Sequence, residues 1–210
     1  MIRLVLFGAP GCGKGTQGDL LEEKYGYKKI STGDLIRAEV KAGSETGRKV
    51  KAIMEKGELV SDEIIIEMVK NRVKQDDITL GYTMDGFPRT LEQAKALSNI
   101  PVERETAIFL KVDEEAVVER LVSRLTCKNC SAIFNTKNKA PQKEGLCDEC
   151  GGKLERRKDD NEETIRSRIA VYKEQTEPAV KYYRENSTLY EVDAAGTPAE
   201  IFAKLEEIVK

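Results

Sequence analysis

Three glycines and a lysine raise the first chemical question. Gly8-Ala9-Pro10-Gly11-Cys12-Gly13-Lys14-Gly15-Thr16 follows a short apolar run, Leu4 to Phe7, so a buried strand leads into a loop and then a helix. Glycines let the backbone turn tightly and aim successive N–H groups inward, and the helix start adds its positive end. The loop is therefore a nest for phosphate oxygens. The spacing Gly8-x4-Gly13-Lys14 matches the P-loop pattern, in which the lysine reaches the outer phosphates as a point charge. The hydroxyl expected directly after the lysine is displaced to Thr16, which weakens the case for Thr16 as a direct magnesium ligand. A glycine-rich connector is the bland alternative; the lysine at this offset favours phosphate.

The second chemical signal is Cys127-x2-Cys130 with Cys147-x2-Cys150. Two knuckles of this spacing place four thiolates tetrahedrally around zinc, and an all-sulfur site is closed to substrate and therefore structural. The polar, turn-rich segment between them cannot bury a core of its own, so a metal staple makes physical sense. Cys12 is left over, a small filler in the glycine loop unless a base activates it. The chain contains no histidine, so its chemistry runs on carboxylates, lysine, arginine, thiolates or backbone. Asp85, at the end of Tyr82-Thr83-Met84, is either a candidate holder of hydrated magnesium or an Asp-Gly turn with a capping role. Arg120 and Arg124, four apart on one expected helix, share a face; they are either surface charges or an anion clamp. Arg37 stands beside Thr32 and Gly33, and Arg156, Arg157, Asp159, Asp160, Arg166 and Arg168 form a later charge run. Arg156 and Arg166 read equally well as solvated.

These groups need a scaffold. The pattern predicts strands at Leu4 to Phe7, Tyr27 to Ile30, Tyr82 to Met84, Thr106 to Val112 and Thr188 to Val192, alternating with helices, the signature of an open parallel α/β sheet. Ligands in such sheets lie beyond the carboxyl ends of the strands, which puts Asp85 and Arg89 on the same edge as the glycine loop. Helices are expected from Lys14 to Lys24 with Gly26 ending it, from Asp34 through Val40, from Ser44 to Lys56 and from Ser61 to Lys74, with Ser44 and Ser61 as caps and a turn at Lys56-Gly57-Glu58. Thr90-x-x-Gln93 reads as a capping box, Asp113 as the cap of a helix running through Leu125, and Asp160-x-x-Glu163 as the cap of a long helix that Pro178 breaks or bends. Thr197-Pro198-Ala199-Glu200 opens the last helix.

At 210 residues the chain fits one compact domain with small inserts and can bury roughly 70% of its unfolded surface. With 35 basic and 37 acidic residues the net charge is -2, which gives no general reason to expect nucleic acid or membrane as a partner. No apolar run approaches the roughly 20 residues of a membrane span. The expected setting is cytoplasmic, where paired cysteines bind metal rather than form disulfides.

Taken in order, GAPGCGKGTQ (8 to 17), STGDLIR (31 to 37), DGFPRT (85 to 90), RLVSRLTC (120 to 127), the four cysteines and RRKDDNEETIRSR (156 to 168) resemble the adenylate kinase family, in its long form with a zinc-binding lid. The resemblance implies a three-layer α/β/α P-loop fold with a parallel five-stranded sheet as core (1-30, 61-126 and 161-210), a helical nucleoside-monophosphate insert (31-60) and a zinc lid (127-160). It implies that Lys14 and the loop of Pro10, Gly11, Cys12, Gly13, Gly15 and Thr16, through its N–H groups, hold ATP phosphates, and that Arg120 and Phe134 sandwich the adenine. Ile133 lines that pocket, and Gly196 contacts the base by backbone. For AMP it points to Thr32, Arg37, the backbone of Glu58, Leu59 and Val60, the stretch Gly86, Phe87, Pro88 and Arg89, and Gln93. Arg124, Arg157 and Arg168 would gather the transferring phosphoryl group, Arg157 and Arg168 also facing AMP; Asp85 would organise Mg2+, and Asp159 and Asp160 would serve lid closure.

The implied activity is reversible transfer from MgATP to AMP giving two ADP, by a monomer with one structural Zn2+ per chain. Cys12 replaces the small residue usual in this loop, which implies sensitivity to thiol reagents. The nearest competing expectation is a kinase for UMP or CMP. The other is a zinc-ribbon P-loop protein that binds nucleic acid, against which stand the balanced charge and the lack of tryptophan.

Overall fold

The computed structural model describes every residue except Gly57, Asn138, Ser187 and Thr188. The expected turn at Gly57 and the expected strand start at Thr188 therefore lie outside the described residues. Along the chain, β1 (Ile2–Phe7) leads to α1 (Lys14–Tyr25), and β2 (Lys28–Ser31) to α2 (Thr32–Ala42), α3 (Glu45–Lys56) and α4 (Asp62–Arg72). Next come β3 (Gly81–Asp85) with α5 (Leu91–Ser98), and β4 (Arg104–Lys111) with α6 (Glu114–Val122). Three short strands follow, β5 (Arg124–Cys127), β6 (Ile133–Asn135) and β7 (Leu154–Glu155). Then α7 (Glu162–Val171) passes through a π-helical turn (Tyr172–Thr176) into α8 (Glu177–Asn186), β8 (Leu189–Asp193) and α9 (Pro198–Val209).

The main sheet is parallel, in the order β2-β3-β1-β4-β8. Its centre, β1, is apolar on both sides, as a strand covered by helices on both faces must be. Val5 and Phe7 pack on one face with Ile36, Val69, Leu97 and Tyr183, while Leu4 and Leu6 pack on the other with Leu21, Ile201 and Leu205. The chain leaves β1 and its neighbour β3 toward opposite faces, α1 packing on the second cluster and α5 on the first. A crevice therefore opens past their carboxyl ends, at Gly8 and Asp85, the switch point where such sheets take ligands.

Several local readings change once packing is included. The helix predicted through Leu125 stops at Val122, and Arg124 starts β5, so Arg120 and Arg124 do not share a helix face. Ser123 hydroxyl bonds the Glu119 carbonyl (2.5 Å) and Asn135 Nδ2 bonds the Arg120 carbonyl (3.1 Å), which satisfies the last turn and lets Leu125 pair with Phe134 across a hairpin. The segment read as turns folds as the antiparallel sheet β6-β5-β7, over a small core of Cys127, Phe134, Cys147 and Leu154. Ser61 and Asp113 occupy N-cap positions without a capping bond from their side chains. Asn161, not Asp160, caps α7 by accepting from Thr164 N–H, because Asp160 is engaged by two arginines. Pro178 lies in the first turn of α8, and helical winding runs through it from the π-helical turn. The widened turn ahead of it, where Glu177 N–H donates to the Tyr172 carbonyl five residues back, absorbs the misfit. The box at Thr197 and Glu200 is formed as predicted. Among the described residues no helix is long and apolar enough to cross a membrane.

Candidate active site

The glycine loop after β1 is set by backbone. Gly8 adopts φ 140° and a side chain there would press against the Leu110 carbonyl at 2.6 Å; Gly13, the N-cap of α1, adopts φ 111°. Both conformations favour glycine. Gly13 brings no capping side chain, so the first amides of α1 stay available to an anion. Lys14 Nζ lies against the loop itself, donating to the carbonyls of Gly8 (2.7 Å) and Ala9 (2.9 Å), with Cys12 Sγ at 3.5 Å. Cys12 is 0% exposed and packs between β1 and β4 residues. It does not line the cavity, and the expected sensitivity of the folded protein to thiol reagents is contradicted by this burial.

A cavity of about 230 Å³ opens above the loop. Pro10, Gly11, Gly13, Lys14, Gly15 and Thr16 form its floor. Asp85, whose carboxylate lies 3.2 Å from where a Gly15 side chain would begin, forms its wall. Phe134 and Gly196 also line the cavity, as does Ile133, whose Cδ1 lies 3.5 Å from the same Gly15 position. A second cavity of about 70 Å³ is bounded by Thr32, Glu58, Leu59, Val60 and Gln93. Arg37, Arg89, Arg168, Leu59 and Gly86 border both. Pro88 lines the larger cavity, whereas the Phe87 side chain is in the core on the α2, α4 and α5 face and lines neither.

Six arginines from separate segments meet here: Arg37, Arg89, Arg120, Arg124, Arg157 and Arg168. Three are held by carboxylates. Arg124 makes a two-pronged bond to Asp160 (2.8 and 2.5 Å), Arg168 bonds Asp159 (2.8 Å), and Arg37 pairs with Asp34 one turn earlier. Burial alone would raise the carboxyl pKa of Asp159 and Asp34, but neighbouring arginines, Arg168 for the first and Arg37 for the second, hold both below the usual value. The other three have no carboxylate within ion-pair distance among the described residues. Arg120 donates to the carbonyls of Cys12 (3.3 Å) and Ala194 (2.8 Å), Arg89 to Gly86 (2.8 Å), and Arg157 to the Thr126 hydroxyl (3.0 Å). Burial, reinforced by Arg168, pulls Arg89 down to about 10; burial with Arg124 and Arg37 pulls Arg157 down to about 9. Arg156 and Arg166 are exposed, the latter paired with Glu162.

The covering segments touch. Lys158 bonds Glu55 (3.2 Å) and Ser167 hydroxyl bonds the Lys56 carbonyl (3.4 Å). Beneath them Thr32 hydroxyl donates to the Gly86 carbonyl (2.8 Å). Gln93 is oriented at both ends, its Oε1 accepting from Arg89 N–H (2.7 Å) and its Nε2 donating to Asp62 (2.8 Å). Thr90 caps α5 as predicted, but the returning bond goes to Arg89 rather than to Thr90. Asp62 was missed in the sequence because its partner is a buried side chain 31 positions away. Lys139 and Tyr172, which also line the larger cavity, carried no signal of their own.

The four cysteines bring their sulfurs within 4.8 Å of one another, with Cys127–Cys150 at 3.4 Å and Cys130–Cys147 at 3.5 Å, and none is in a disulfide. A tetrahedron of ~2.3 Å Zn–S bonds has edges of about 3.8 Å, so the donor set fits zinc. The two knuckles are built alike. Ser131 N–H bonds Cys127 O (3.1 Å) and Gly151 N–H bonds Cys147 O (2.8 Å), with Ser131 and Gly151 both left-handed at φ 64° and 69°. The backbone N–H of Cys130 and then that of Asn129 draw the Cys127 thiol down to about 6, which favours a thiolate.

A phosphate nest at the switch point of a parallel sheet, roofed by arginines and offering no histidine base, defines a P-loop phosphotransferase. Residues 6–188 match the adenylate kinase family model. Adenylate kinases from Archaeoglobus fulgidus (45% identical, covering 100% of this chain and 98% of that protein) and Thermodesulfovibrio yellowstonii (46%, 100% and 99%) are similar over their whole length. The Methanosarcina barkeri adenylate kinase is 41% identical over 100% of this chain. The chain belongs to the adenylate kinase family and has adenylate kinase activity.

Proposed function

We propose that the larger cavity takes ATP, the smaller one AMP, and that phosphoryl transfer between them occurs under Arg37, Arg89 and Arg168. The observation that carries this reading is that these three cations border both cavities, the place where two nucleotides laid end to end bring their phosphates together. Lys14 leaves the carbonyls of Gly8 and Ala9 for the outer phosphates of ATP, and the amides of Gly13 to Thr16 take the rest. Arg120, Ile133, Phe134 and the Gly196 backbone enclose the donor base. Thr32, the backbone of Glu58 to Val60, Gly86 to Arg89 and Gln93 receive AMP. Arg124, Arg157 and Arg168 close on the transferring group, whose charge spreads over its oxygens.

The acceptor phosphate is already ionised, its second pKa lying near ~6 as in phosphoester side chains, so a base is dispensable. What the residues supply is in-line placement and positive charge. The lid (127-160) and the insert (31-60) exclude the water that would otherwise hydrolyse ATP. Asp85, with no ion-pair partner among the described residues, would hold hydrated Mg2+, which neutralises charge on the β- and γ-phosphates when bound. One Zn2+ per chain on the four thiolates would brace the lid without entering the chemistry. One chain supplies every group, which supports a monomer, and the housekeeping exchange of adenine nucleotides suits the cytoplasm.

A coupled assay with ATP and AMP, UMP, CMP or GMP tests the acceptor assignment: AMP is expected to give the highest kcat/KM, and faster turnover of UMP or CMP would refute it. Asp85→Asn is expected to lower kcat roughly 10²-fold at fixed magnesium, with partial recovery as magnesium is raised. An unchanged magnesium dependence would remove Asp85 from its role.

A further inference from the structure

We propose that Lys139 sets the base selectivity of the donor site and opens it to GTP as well as ATP; the inference rests on the donor-site reading above. Lys139 is exposed and lines the larger cavity together with Ile133, Phe134 and Gly196. Its backbone is tied to β6 in both directions, to Asn135 O (3.1 Å) and from Asn135 N–H (3.0 Å). The side chain reaches back over the lid core and places Nζ 5.1 Å from the centre of the Phe134 ring. Phe134 is 2% exposed and packs among Cys127, Cys147 and Leu154, so a base placed against it meets an ammonium where the resemblance implies an aromatic face.

That ammonium has no carboxylate or carbonyl partner among the described residues, unlike Lys137 two positions earlier, which pairs with Glu119. An ammonium offers three donors and no acceptor. Guanine presents two acceptors side by side, N7 and O6; adenine presents N7 beside the N6 amino donor. The lysine therefore adds a contact to guanine that it cannot add to adenine, and it approaches the adenine amino group as donor to donor. Its charge stabilises the guanine nucleotide on the donor side only, because the AMP cavity does not include it.

The experiment compares ATP and GTP as donors to saturating AMP in the full-length protein, with Lys139→Met, which keeps the stem over Phe134, and Lys139→Arg, which keeps the cation. Lys139→Met is expected to lower the GTP-to-ATP ratio of kcat/KM about tenfold, mostly through the KM for GTP. Lys139→Arg should hold the ratio within about threefold, with the thermal midpoint of both variants unchanged. A ratio that moves less than about twofold in Lys139→Met, or an unmodified protein that turns over ATP but not GTP, overturns the assignment while leaving the donor site in place. Failure of the unmodified protein to use ATP would instead defeat the donor-site reading beneath it.

Discussion

Arg157→Ala is expected to reduce kcat about 10³-fold while leaving the thermal midpoint of the nucleotide-free protein unchanged or higher. The two halves of this result come from the same geometry. Arg157 is half-buried with one bond among the described residues, to the Thr126 hydroxyl, and it faces Arg124 and Arg37. Burial and those like charges pull it from the ordinary guanidinium value down to about 9, so between the two the unfolded chain binds more protons and the group's contribution to stability rises with pH. At neutral pH the folded protein bears the whole unfavourable interaction, and alanine removes it. A bound nucleotide removes it too, by supplying the missing anion, so ATP with AMP should raise the midpoint more in the parent than in the variant. Arg157→Lys should recover only part of kcat, since an ammonium lacks the planar fork. Steady-state rates and thermal scans check this. A variant with parental kcat, or one that melts well below the parent without ligand, would show that Arg157 is a structural rather than an anion-binding group.

Stripping the four-cysteine site is expected to lower the thermal midpoint by about 10 °C and to abolish most phosphotransfer. The lid sheet consists of strands of four, three and two residues over four buried side chains, too little apolar surface to order the segment without a crosslink. Arg124 stands on β5, and Arg157 reaches Thr126 on the same strand, so disordering the lid displaces two of the cations above the glycine loop. Cys147→Ser should reproduce both losses without a chelator. Metal analysis should find one zinc per chain in protein purified without chelating agents. Absence of zinc, or a midpoint indifferent to chelation, would defeat the proposal.

The parts of this molecule that were legible in its sequence are those where one local signal suffices. Apolar runs marked the strands, Gly8 to Lys14 marked the phosphate nest, paired cysteines marked the knuckles, and Thr197 to Glu200 marked the last helix start. What was not legible depends on partners far along the chain. Leu125 continues the helical spacing of Val117 and Leu121, yet it pairs with Phe134 in a hairpin, so tertiary pairing overrides the local period. Asp160 has the spacing of a cap, but two arginines claim it. Cys12 reads as a small filler of the glycine loop unless a base activates it, and its complete burial is a fact of packing that the loop pattern does not carry. Asp62 holds Gln93 from a different helix, a relation with no sequence period.

The π-helical turn between α7 and α8 fixes how this stretch can vary. Lys173, Glu174 and Gln175 are exposed, so their identities are nearly free, but their number is not. Losing one residue there would restore ordinary helical winding and swing Ala179, Val180 and Tyr183 about 100° off the sheet. Natural relatives of this chain should thus vary in spelling across the turn while keeping its length.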